Sequence, residues 1–242
     1  MTKGRALVTG ASAGIGAATV RALVADGWTV EMTARRADRL AALAEETGAA
    51  PHTIDAGDAA AMRALVEGAP FDLLVANAGK GGAMRGLAGA DPAEIAEIVH
   101  LNVTATLQLI AAILPGMAAR GRGHVITLGS VSGVYPTGPA VYGASKHAVR
   151  GLIRNLRLET LGQGIRFTDI QPGRVATEFY DVAVADPVAR ARITDTGVDV
   201  LAPEDVAEAI RWAAAQPAHV NVSALELSPI GQTYGGARFA ER

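Results

Sequence analysis

Short runs of apolar residues alternate along this chain with longer segments in which apolar positions recur every three or four residues. The short runs predict strands at 6–9, 29–33, 51–54, 73–76, 124–128, 166–170 and 224–227. The longer segments predict helices at 18–26, 37–46, 92–114, 144–161 and 203–214. Pro92 and Pro203 suit first-turn positions, where a missing N–H costs nothing, and the acids beside them favour the positive end of a helix. Strands alternating with helices are the pattern of β-α-β units, so the expected fold class is α/β, a doubly wound parallel seven-stranded sheet with helices on both faces. No linker-like stretch, internal repeat or low-complexity tract divides residues 1–242, and a single domain is expected. The segment 179–201 is polar, interrupted by proline and longer than an ordinary connection, which suits a loop over a binding site or a loop with no function.

Candidate chemistry begins directly after the first strand. The stretch LVTGASAGIG puts Gly10, Gly14 and Gly16 between strand and helix. Glycines there allow a sharp turn, a close approach of backbone to a pyrophosphate, and tight packing of helix on strand. The helix N-terminus then turns its free amides toward the phosphates. This expectation of dinucleotide binding rests on the strand-turn-helix context, since the spacing is G-x-x-x-G-x-G rather than G-x-G-x-x-G. At the end of the second strand, EMTARRADRL offers Arg35 and Arg36 and no carboxylate. An acid there would bind the ribose hydroxyls of NAD, whereas guanidinium groups match an extra phosphate, so NADP(H) is preferred over NAD(H). The other reading of these arginines is a solvated helix start. Asp55, closing the third strand, is either a contact for the adenine edge or a turn aspartate.

A second constellation occupies HVITLGSVSGVYPTGPAVYGASK. Ser130 follows a strand, at the carboxyl rim where open α/β sheets bind ligands. Tyr142 and Lys146 stand four residues apart and share one face of a helix. A phenol is a poor base at neutral pH, and a neighbouring ammonium is expected to lower its pKa. Ser130 can donate to a substrate oxygen, so the three groups suit proton movement coupled to hydride transfer. Taken singly, each has an ordinary structural explanation: a cap, a half-buried ring, a solvated cation.

Composition narrows the partners. Half the residues are apolar, enough for a substantial core, and the net charge is -2 with dispersed basic residues, which provides no footprint for nucleic acid or an anionic membrane. Cysteine is absent and the five histidines show no ligand spacing, so no metal site is expected. The N-terminus has no signal-length apolar run, and no stretch approaches about 18 uninterrupted apolar residues. A cytoplasmic location is the resulting expectation.

With these motifs in place, the chain resembles the classical short-chain dehydrogenase/reductase family over essentially its whole length. TGASAGIG matches the cofactor motif with Gly10, Ser12, Gly14, Ile15 and Gly16. ANAG matches the fourth-strand motif with Asn77, Ala78 and Gly79, and LNV carries Asn102 at the family's proton-relay asparagine. GSVSG with YGASK matches the serine and the tyrosine-lysine pair, and PGRVAT supplies Pro172, Gly173, Val175 and Thr177 at the segment that clasps the nicotinamide end. The resemblance implies a Rossmann-type sheet, with a cofactor half over about 1–130 and a catalytic and substrate half over about 131–242. It implies Tyr142 as general acid/base, Lys146 as the group that lowers its pKa and holds the nicotinamide ribose, Ser130 polarising the carbonyl, and Asn102 supporting a water chain. Ser130 precedes Tyr142 by twelve residues where thirteen is more usual, which leaves Ser132 as the alternative.

The C-terminal stretch and TEF after PGRVA resemble the NADP-dependent 3-hydroxy acid and serine dehydrogenase branch, with sulfoacetaldehyde reductases similar. A small acidic substrate would need a cation, and Arg174, Arg190, Arg192 and Arg85 are the candidates. The family also implies a homotetramer or homodimer. A broad reductase of neutral carbonyls and a silent nucleotide-binding regulator are the competing readings. The longer epimerase-type relatives are disfavoured, because only about 15 residues follow the seventh strand.

Overall fold

The computed structural model describes residues 3–82, 86–137, 139–183, 187–195, 197–233 and 238–239, without the side chains of 182–183, 189–190, 192–193 and 238–239. Side chains alternate in direction along a strand, and this decides how the sheet is covered. In β1 (Arg5–Thr9), Ala6 and Val8 join one apolar cluster and Leu7 joins the other. In β4 (Leu73–Ala76), Leu73 and Val75 oppose Leu74 and Ala76 in the same way. Strands buried on both faces require a helical layer on each side. One layer consists of α1 (Gly14–Ala25), α2 (Ala37–Thr47) and α9 (Pro203–Ala214), which bring Val20, Leu23, Leu40, Val206 and Ile210 to the first cluster. The other consists of α3 (Ala59–Glu67), α5 (Thr106–Arg120) and α6 (Ala140–Glu159), with Met62, Leu109, Ile113, Met117 and Ile153. Each such fully buried aliphatic side chain contributes about 1.5–3 kcal/mol, before chain entropy is subtracted.

The remaining strands are β2 (Thr29–Ala34), β3 (Ala50–Thr53), β5 (Gly123–Leu128), β6 (Ile165–Pro172) and β7 (Ala224–Leu227). All seven pair in parallel in the order β3-β2-β1-β4-β5-β6-β7. The chain winds outward from β1 to the β3 edge and then crosses back to β4. The order reverses there, and a crevice opens past the carboxyl ends of β1 and β4. A two-residue antiparallel pair, β8 (Gln232–Thr233) with β9 (Arg238–Phe239), follows the sheet.

The seven strands fall where the apolar runs predict them. The helix α3 is not predicted, because it is short and four of its nine residues are alanine; the signal lies in Asp58, whose carboxylate accepts the amides of Ala60 and Ala61 at 3.1 and 3.0 Å. The helix predicted over 92–114 is three segments: α4 (Pro92–Val99), a π-helical turn (His100–Ala105) and α5, which ends at Gly121 in the left-handed region. By length and composition this run could cross a membrane, yet here Leu109, Ile110, Ile113 and Met117 are buried against the sheet and α3. The segment expected as a loop over 179–201 carries two short helices, α7 (Phe179–Ala183) and α8 (Pro187–Thr194).

Candidate active site

The turn after β1 is fixed from β4. Asn77 donates through Nδ2 to the carbonyls of Thr9 at 2.8 Å and Gly10 at 3.2 Å, while the Thr9 hydroxyl accepts the amides of Asn77 and Ala78 at 3.1 and 3.0 Å. Gly10 has a φ of 67°, and a Cβ on it would lie 2.9 Å from the Cα of Ala78. A Cβ on Gly16 would collide with the Gly10 carbonyl oxygen. Only glycine fits at these two places. Asn77 therefore braces the turn with its amide, while Ala78 and Gly79 continue the same rim. Ile15 packs against the core, and its carbonyl accepts the Thr19 hydroxyl at 2.7 Å. No side chain caps the first turn of α1, whose N-cap is Ala13. Close-packed glycine backbone ahead of an uncapped helix start is a fitting cradle for a pyrophosphate.

At the end of β2 the two predicted arginines part company. Arg35 is exposed and approaches Asp55 at 3.8 Å, and Asp55 accepts the Gly57 amide at 2.9 Å, the geometry of a turn aspartate. Arg36 donates from Nε to the Ser12 hydroxyl at 3.0 Å and from its terminal nitrogen to Glu178 at 2.8 Å. Arg39 donates to the other Glu178 oxygen at 2.7 Å. Arg39 and Glu178 are not among the residues predicted from the motifs.

Past β5, Ser130 is buried and its Oγ accepts the Ser132 amide at 3.1 Å. Its side chain also acts on the phenol of Tyr142 as a hydrogen-bond partner. Ser132 instead pairs with the Thr137 hydroxyl at 2.6 Å, so of the two serines Ser130 is the one that faces the tyrosine. The helix α6 begins at Ala140, one turn earlier than predicted, and carries both Tyr142 and Lys146. The Lys146 Nζ lies 5.7 Å from the centre of the Tyr142 ring and donates to the Leu128 carbonyl at 2.6 Å.

The electrostatics correct one expectation. Burial holds the Tyr142 phenol above its ordinary pKa, and the Ser130 contact, acting in the opposite direction, does not overcome it. Lys146 is not among the groups that shift the phenol here; its Nζ donates to the Leu128 carbonyl. Burial lowers the Lys146 pKa to about 8, with the Asp169 charge opposing that shift. Asp169 is itself buried and pushed upward by burial, against hydrogen bonds from Gln171 at 2.7 Å and Thr127 at 3.0 Å.

Asn102 sits in the π-helical turn and is 2 % exposed. It accepts the Lys80 amide at 2.9 Å and donates to the Lys80 carbonyl at 2.9 Å and to Ser145 Oγ at 3.0 Å. A Cβ on Gly79 would lie 3.1 Å from Asn102 Oδ1 and 3.7 Å from Lys146 Nζ, so one bare stretch of rim borders both groups. Single-turn π segments of this kind are frequent at functional sites.

After β6, the Gly173 amide donates to Leu227 at 2.7 Å, and Val175 bridges to Leu201. Pro172 to Val175 are thereby pinned to the sheet edge. Residues 177–180 form a strap across the crevice. The Thr177 side chain packs on Gly14, about 3.1 Å from where a Cβ would be, and Glu178 reaches Arg36 and Arg39. Phe179 meets the Tyr142 ring edge-on at 5.4 Å and closes over Gly81. Tyr180 lies 5.2 Å from Phe179 and 4.1 Å beneath the Arg174 guanidinium. A hollow beside Tyr142 is lined by Leu87, Glu94, Ile98, Pro139 and Val141. Of the substrate arginines, Arg174 is thus two rings from Tyr142; Arg85 and the side chains of Arg190 and Arg192 lie outside the described residues. Among the described residues no cluster of acids and histidines could hold a metal ion.

Comparison with known proteins follows the same lines. The NADP-dependent 3-hydroxy acid dehydrogenase YdfG of Salmonella typhi is 38% identical over 245 residues, covering 95% of this chain and 96% of that protein. The serine 3-dehydrogenase of Rhizobium radiobacter is 37% identical over 244 residues, covering 96% of each. The closed form of a serine dehydrogenase complexed with NADP+ superposes with a TM-score of 0.91 at 36% identity, covering 98% of this chain and 100% of that one. The profile of the short chain dehydrogenases matches residues 4–187. A braced glycine turn, a serine facing a tyrosine one helical turn from a lysine, and this likeness along the chain have one common explanation: the protein belongs to the short-chain dehydrogenase family.

Proposed function

We propose that the protein is an NADP-dependent oxidoreductase that interconverts the alcohol and carbonyl of a small 3-hydroxy acid, such as serine or 3-hydroxypropionate. The observation that carries this reading is the convergence of Ser130, Tyr142 and Lys146 on the rim that the glycine turn borders. In this reading the backbone of Gly10 to Gly16 holds the pyrophosphate, Ser12, Arg35 and Arg36 hold a 2′-phosphate, and Val175 and Thr177 clasp the nicotinamide end. The nicotinamide, when bound, supplies or accepts the hydride. Tyr142 gives or takes the proton at its hydroxyl, Ser130 donates to the substrate oxygen, and Lys146 holds the ribose. Asn102 orders the Lys80 backbone and supports a water chain. A phenol held above its ordinary pKa is protonated at neutral pH, so it is ready to donate in the reductive direction, while the oxidative direction gains as pH rises.

The branch of the family supports an acidic substrate, with Arg174 as its cation. A second reading, a reductase of neutral carbonyls, is favoured by the hollow beside Tyr142, which among the described residues is lined by apolar groups and by Glu94 rather than by a cation. We further assign a cytoplasmic location and a homotetramer or homodimer to the same reading. The exposed Val99, Leu107, Leu158 and Leu161 are apolar positions suited to such an interface.

The test is spectrophotometric. Purified protein should oxidise NADPH in the presence of a small aldehyde or keto acid, and Tyr142→Phe should lower turnover by about 10²–10⁴-fold with the fold intact. A panel of serine, 3-hydroxypropionate, 3-hydroxyisobutyrate, isethionate and neutral alcohols, run with both cofactors, separates the two substrate readings. Cofactor binding without turnover on any of them would leave only a nucleotide-binding regulator.

A further inference from the structure

Glu178 spends both carboxylate oxygens on the arginines that border the end of β2. One oxygen takes Arg36 at 2.8 Å and the other takes Arg39 at 2.7 Å, and Arg36 uses its remaining Nε on Ser12 at 3.0 Å. The carboxylate comes from 142 residues away in the sequence, on the strap that also carries Thr177 over Gly14 and Phe179 over Tyr142. It is therefore not part of the local helix-start chemistry of α2. Two guanidinium groups facing one anion, with the Ser12 hydroxyl holding one of them in place, make a donor set that a phosphate also uses.

We propose that Glu178 is a cofactor-specificity residue, an internal carboxylate that competes with a nucleotide 2′-phosphate for Arg36 and Arg39. This rests on the NADP reading above and deepens it. The contacts of Glu178 are weak enough to exchange: the side chains of Arg36, Arg39 and Glu178 are 42–44% exposed, where solvent and salt screen an ion pair. A phosphate monoester carries more charge than a carboxylate and has three acceptor oxygens, so it is the stronger ligand for the pair. A nucleotide with a 2′-phosphate binds with Glu178 released from the arginines. A nucleotide without one leaves Glu178 in place. The strap beside Tyr142 thus senses which kind of nucleotide occupies the crevice.

The experiment is calorimetric titration at low ionic strength with 2′,5′-ADP and 5′-ADP, on wild type and Glu178→Gln, and it requires no turnover. The amide keeps the shape of the side chain and removes its charge. The proposal expects Glu178→Gln to bind 2′,5′-ADP about three- to thirtyfold more tightly, with 5′-ADP changed by less than about twofold. Unchanged or weaker binding of 2′,5′-ADP by the variant overturns it, and so does equal tightening for both nucleotides, which would make the strap a general obstruction. If wild type shows no preference for 2′,5′-ADP over 5′-ADP, the NADP reading falls and this inference with it. If wild type shows that preference and the variant gains nothing, this inference alone falls.

Discussion

On the side of the crevice formed by β1, β4 and β5, polar side chains are committed to backbone: Asn77 to Thr9 and Gly10, Asn102 to both groups of Lys80, Lys146 to Leu128. On the side formed by residues 177–180, the contacts across the crevice run from side chain to side chain near the surface, through rings and ion pairs. The two sides differ in what a change would cost. A broken side-chain-to-backbone bond leaves a polar group unpaired with little chance of another partner, whereas a broken surface pair is largely replaced by water. The first side can hold atoms in fixed positions for chemistry, and the second can adjust to what is bound.

Three substitutions sharpen the contrast, beginning with the largest effect. Gly16→Ala forces a methyl into the Gly10 carbonyl and should cost about 3 kcal/mol of stability along with nucleotide binding. Urea unfolding and titration with 5′-ADP would measure both, and a variant of wild-type stability would refute the account of the turn. Lys146→Met should abolish turnover, and relief of the buried ammonium, whose folded pKa of about 8 lies below its ordinary 10.5, should outweigh the Leu128 carbonyl it leaves unpaired, for a net gain of about 1–2 kcal/mol at pH 7. The sign follows from proton binding. Between pH 8 and 10.5 the unfolded chain holds more protons at this site, so wild-type stability rises with pH there and the advantage of the variant fades. A variant less stable than wild type at pH 7 would show that the lysine is not buried at a cost. Phe179→Ala, on the adjustable side, should move stability by less than about 1 kcal/mol while lowering turnover about tenfold through a less ordered Tyr142. A large loss of stability would place the strap with the fixed side.

Much of this architecture is legible in the sequence because its signals are local. Apolar runs mark the strands, glycines mark the turn after β1, and a four-residue spacing puts Tyr142 and Lys146 on one helix face. What the sequence hides depends on distance or on environment. The helix α3 is too short and too rich in alanine to show a period, and the strap helices lack one. The sign of the Tyr142 shift turns on burial against the Ser130 hydrogen bond, and residue types alone do not show how deeply the ring is buried. Glu178 and Arg39 are individually unremarkable acids and bases; only the fold brings them to one place.

The four strap residues are neighbours in sequence with four separate destinations: the glycine turn, the arginine pair, the tyrosine ring and the Arg174 stack. Replacing one side chain removes one destination. Deleting or inserting a single residue before Thr177 would shift all four by one place and misdirect every one of them, so this stretch accepts changes of identity far more readily than changes of length.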